Sequence, residues 1–66
     1  MILEAEAGET MFNLAVRGCE KVNSTLKGEL EIEHNGTRVF VYRNSNPQDV
    51  YEKLHYKQII ARMERR

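Results

Sequence analysis

The 66-residue sequence has one cysteine, one proline, no tryptophan and no long apolar run, and each shortage closes off a class of protein. With Cys19 alone, an internal disulfide is impossible. Cys19, His34 and His55 also lack the paired spacing of a zinc site, so no metal is expected. No stretch nears the roughly 20 apolar residues that span a bilayer. Met1–Ile2–Leu3 runs at once into Glu4 and Glu6, where a signal peptide would carry its apolar core. With the single thiol, this points to a reducing cytoplasm and away from a membrane. Catalytic signatures are missing as well: there is no glycine-rich phosphate loop and no metal-ligand pair. The expectation is a chain with no catalytic residues and no cofactor, and therefore not an enzyme.

What is present fits one small folded domain over residues 1–66. Hydrophobic content of 41% and charged content of 30% suit a globular chain rather than a disordered one. A chain this short buries only about 60% of its unfolded surface, so self-association is an obvious support. The zero net charge hides a division. Residues 1–33 hold seven acids against three basic residues, and residues 34–66 hold seven basic residues against three acids. Such a split either orients a partner or neutralises itself within one fold.

Local patterning gives the elements. Residues 1–8 read as a short acidic arm, extended or frayed. Over residues 10–26 a helix is predicted, with Met11, Phe12, Ala15, Val16, Cys19, Val22 and Leu26 on one side and Thr10 as N-cap. Gly18 costs helix stability, and near the edge of that stripe it admits a close neighbour. Residues 29–42 form a hairpin about Asn35–Gly36, a pair that favours a two-residue type I′ turn. This register puts Leu30, Ile32, Val39 and Val41 on the buried face. A second helix, residues 47–65, opens with Asn46 as N-cap and Pro47 at the first position. Val50, Tyr51 and Leu54 complete the expected core. The fold expected is α+β of αββα order, two helices packed on one face of a two-stranded antiparallel hairpin.

Two surfaces remain to be explained. The outer hairpin face carries Glu29, Glu31 and Glu33 against Arg38, Phe40 and Tyr42. Aromatics there mark a contact surface whose acids attract a basic protein partner, or else they pack on the aliphatic stems of their glutamate neighbours. On the second helix, Tyr56, Ile59, Ile60 and Met63 form an extra apolar stripe. It is a homodimer seam, a partner surface, or a cover for the open end of the core. Lys53, Lys57, Arg62, Arg65 and Arg66 give the same helix a basic side, so a nucleic-acid-associated regulator is the alternative function.

The run Asn35–Gly36–Thr37–Arg38–Val39–Phe40–Val41, a polar spacer, and Asp49–Val50 opening a helix resembles the small head–tail joining protein W family of tailed phages. The resemblance covers about half of the chain and implies αββα order, with an assembly or adaptor role. The acidic first strand and the lack of a basic tail after the second helix differ from that family. A phage or prophage accessory protein that binds a host protein fits the size equally well. The expected function is a non-enzymatic protein-binding module acting by surface complementarity.

Overall fold

Asn35 and Gly36 both take positive φ, 52° and 81°, the left-handed pair that a type I′ turn requires. The strands they join are β2 (Glu29–His34) and β3 (Thr37–Tyr42), in a computed structural model that describes residues 2–64. Ile32 faces Val39 and Leu30 faces Val41, as the turn dictates, and all four are buried. The helices lie on that side.

The sheet is larger than a hairpin. Ile2–Glu4 forms a third strand, β1, which pairs parallel to β2 with Ile2 beside Glu31, Leu3 beside Ile32 and Glu4 beside Glu33. The Ala5 amide extends the ladder by donating to the Glu33 carbonyl at 3.0 Å. The expected two-stranded antiparallel hairpin is therefore corrected to a three-stranded mixed sheet of order β1-β2-β3, within an α+β fold. Of the acidic arm, residues 2–4 take the extended form, as a strand of this sheet. Parallel neighbours cannot be joined by a tight turn, and here residues 5–28 supply the crossover, most of it helical. A three-residue strand is too short to show alternation. Its inward positions, Leu3 and Ala5, are nevertheless apolar and pack on the core.

Helix α1 (Met11–Lys21) starts where Thr10 Oγ1 accepts from the Asn13 amide at 3.1 Å. It stops five residues short of Leu26. A single 3₁₀ turn, Val22–Ser24, follows. The cause is local competition: Ser24 Oγ donates to the Lys21 carbonyl and Thr25 Oγ1 to the Val22 carbonyl, both at 2.8 Å. Arg43 then donates to the Thr25 carbonyl at 2.6 Å and fastens this loop to the end of β3. Leu26 is left fully exposed, and Phe12 half-exposed, so both are corrected out of the core in which the sequence placed them. Leu14 and Gly18, absent from that core, are buried, and Val16 and Cys19 are only partly covered.

Helix α2 (Pro47–Glu64) opens on a reciprocal cap. The Asp49 amide donates to Asn46 Oδ1 and Asn46 Nδ2 donates to Asp49 Oδ2, each at 2.9 Å. Val50 and Leu54 are buried. Farther along, Gln58 Nε2 donates to the His34 carbonyl at 3.1 Å and lies 2.8 Å from His34 Nδ1, which holds α2 against the end of β2. The two helices cover one face of the sheet. The other face is open.

Candidate protein-docking surface

The open face begins with chain alternation. Because Leu30, Ile32, Val39 and Val41 point inward, Glu29, Glu31, Glu33, Arg38, Phe40 and Tyr42 must point outward. Phe40 and Tyr42 stand two apart on β3 and stack on each other, with centroids 6.3 Å apart and planes 20° apart. They remain 50% and 44% exposed. Arg38 reaches the Glu33 carboxylate only at 3.8 Å, a loose ion pair. The parallel strand enlarges this face in a way the hairpin alone did not foretell. Register puts Ile2 beside Glu31 and Glu4 beside Glu33, so an exposed isoleucine and a fourth glutamate join the patch.

Helix α2 distributes its expected sites among different places. Tyr56 is brought to β3, where Val39, Phe40, Tyr42, Lys53, Tyr56 and Lys57 line a groove of about 300 Å³. Two surfaces that look separate along the chain thus meet at one strand. Ile59 and Met63 stay exposed while Ile60 is partly covered. The basic residues divide as well. Lys53 and Lys57 lie along the β3 groove, and Arg62 lies beside the hairpin turn. Arg65 and Arg66 are outside the described residues.

One polar cluster escaped the sequence reading. Glu9 and Arg17 form a two-bonded pair, Nε to Oε2 at 2.8 Å and Nη2 to Oε1 at 2.6 Å. Asn13 Nδ2 and the Glu6 amide also donate to the Glu9 carboxylate, and Arg17 Nη2 reaches the Glu4 carbonyl at 2.9 Å. The cluster ties β1 and its following loop to α1. Its trace in the sequence is the spacing Glu9, Asn13, Arg17, one edge of a helix at every fourth residue. The Arg17 hydrogen bonds draw the Glu9 pKa from 4.5 down to about 2, against the opposing effect of burial. The sign follows from linkage: a lowered folded-state pKa stabilises fully above about pH 5 and is lost as pH falls toward about 2. Glu9→Gln is expected to lose on the order of 2–3 kcal/mol near neutrality and to flatten the acid limb. Urea melts at about pH 6 and about pH 3 check this. Equal losses at both pH values would show that the carboxylate's charge plays no part.

Burial pushes the Cys19 thiol pKa up, away from a reactive thiolate. Among the described residues, no three His, Cys, Asp or Glu side chains converge to hold a metal ion. No described helix is long and apolar enough to cross a membrane. Set beside known protein families, curated proteins and solved structures, the chain matches none of them.

Proposed function

We propose that this chain is a non-enzymatic protein-binding module, working without cofactor in the cytoplasm, which docks a partner on the open face of its sheet. The observation that carries this reading is the stacked Phe40–Tyr42 pair, half exposed on a sheet face that neither helix covers. Exposed single apolar side chains are ordinary, whereas a contiguous patch is not. Ile2 shares this face on the far side of Glu31, and Glu4, Glu29, Glu31 and Glu33 outnumber Arg38 around the aromatic pair. The partner that suits this surface has an apolar centre ringed by basic groups. An adaptor or accessory role, of the kind the phage joining-protein resemblance implies, agrees with recognition by surface alone.

Homodimerisation is the second reading, favoured by the exposure of Ile59 and Met63 on the far part of α2. A wild-type chain that sediments as a monomer removes it. The nucleic-acid alternative draws less support, because Lys53 and Lys57 are separated from Arg62 and the broad sheet face is acidic.

The face is tested with an arginine- and leucine-rich peptide carrying one tryptophan, which reports cleanly because the chain has none. The wild type should bind it, more weakly in high salt. Phe40→Ser/Tyr42→Ser should keep the wild-type circular dichroism spectrum and melt, yet weaken binding by roughly tenfold or more. Undiminished binding by the double variant, or none by the wild type, removes the proposal.

A further inference from the structure

The free edge of β3 is distinct from the open face. In an antiparallel pair, alternate residues turn both peptide groups toward the neighbour strand and the rest turn them away. On β3 the outward set is Arg38, Phe40 and Tyr42, as their other partners confirm. The Tyr42 amide donates to Ser45 Oγ at 3.0 Å and the Tyr42 carbonyl accepts from the Ser45 amide at 3.0 Å. The Arg38 carbonyl accepts from Lys57 Nζ at 3.1 Å. Between these two closed ends, the Phe40 N–H and C=O have no partner among the described residues. An edge guarded at both ends and open in the middle is a short template for one more strand.

The groove beside that opening says what the strand carries. Val39, Phe40, Tyr42 and Tyr56 line it, and its only charged members are Lys53 and Lys57. A strand added there alternates its side chains between the groove and the outer face. Groove-facing positions meet two ammonium groups, and outward positions meet the Phe40–Tyr42 stack. The glutamates of β2 lie one strand farther off, about 10 Å from the incoming chain, where salt largely screens them. A second copy of this chain fits poorly. Pairing β3 with itself about Phe40 sets Lys53 and Lys57 against the same residues of the copy, four ammonium groups with no carboxylate in the groove.

We infer that the β3 edge accepts an extended, acidic segment of a partner protein, alternating carboxylate and apolar side chains and hydrogen-bonded to the Phe40 backbone. The incoming carboxylate draws Lys57 off the Arg38 carbonyl, which then accepts from the added strand. This goes beyond the proposal for the face, since it concerns backbone groups and the opposite charge.

The test uses a synthetic peptide alternating glutamate and valine, its lysine–valine counterpart, and ¹⁵N-labelled protein. The acidic peptide should shift the Arg38 and Phe40 amides and slow their hydrogen exchange, and the basic peptide should not. Lys53→Glu/Lys57→Glu should reverse that preference. A chemically synthesised chain with an N-methyl group on Phe40 keeps the ring but loses the donor, and should bind the acidic peptide roughly tenfold more weakly. That chain should still bind the arginine-rich probe, so failure of the edge and failure of the face are told apart. Absence of Phe40 shifts, equal binding of both peptides, or unchanged binding after N-methylation overturns the inference.

Discussion

Leu14→Ala is expected to cost about 2–5 kcal/mol, while Leu26→Ala should leave stability within about 0.5 kcal/mol of wild type. The two leucines come from one stretch of chain, and the apolar pattern favours the wrong one, placing Leu26 on the buried stripe and leaving Leu14 off it. Leu14 is fully buried and shares the core cluster with Ile32, Val41 and Leu54, and Leu26 lies in the loop after α1, open to water. Truncating Leu14 removes the three carbons beyond Cβ and leaves a cavity that the surrounding strands can only partly close. For a domain of this size the whole stability is on the order of 3–10 kcal/mol, so the Leu14 variant should be half-unfolded or worse at modest denaturant. Urea melts of the two variants, followed by far-ultraviolet circular dichroism, decide the matter. Equal losses would mean that α1 is rotated from the position described.

Gly18→Val should be nearly as damaging, by about 3 kcal/mol. A Cβ built on Gly18 lies 2.8 Å from Ile32 Cγ2 and 3.5 Å from Val41 Cγ2. Ile32 is fully buried and branched at Cβ, so that methyl cannot swing aside. Even Gly18→Ala, which elsewhere in a helix gains up to about 1 kcal/mol, should here be a net loss of about 1–2 kcal/mol. The contact itself can be isolated, because Ile32→Leu moves the branch from Cβ to Cγ and removes the methyl in question. In that background Gly18→Ala should be better tolerated by about 1 kcal/mol, a coupling that a double-mutant cycle reads directly. If Gly18→Ala stabilises the native chain, the helix does not lie this close to β2.

The same two positions show where sequence reading ends. The apolar stripe Met11, Phe12, Ala15, Val16, Cys19, Val22 and Leu26 points α1 roughly 65° away from the direction set by the buried Leu14, Ala15, Gly18 and Val22, at 100° per residue, and the two sets share only Ala15 and Val22. A glycine contributes nothing to an apolar pattern, although its missing side chain is what lets the sheet approach. The rotation has one cause with the missed strand. Once β1 lies beside β2, the sheet to be covered extends in that direction, and Leu3 and Ala5 join the core there. The Glu9–Arg17 pair is hidden in the sequence for a related reason. Its residues look like a solvated helix face until β1 and its loop fold back over them.

Chemistry confined to a few neighbouring residues was settled by the sequence itself. Asn35–Gly36 accepts the left-handed conformations of its turn, and the register of β2 with β3 and the inward set of four aliphatics follow from that. Asn46, Pro47 and Asp49 likewise start α2 through bonds made within one turn. Tertiary structure decided what depends on distant partners: the parallel pairing of β1, the rotation of α1, and the meeting of Tyr56 with Phe40 and Tyr42. A parallel strand carries no turn to announce it, and a helix face is chosen by whatever sheet it must cover. Such choices minimise exposed apolar area over the whole chain, and no short window of residues contains that sum.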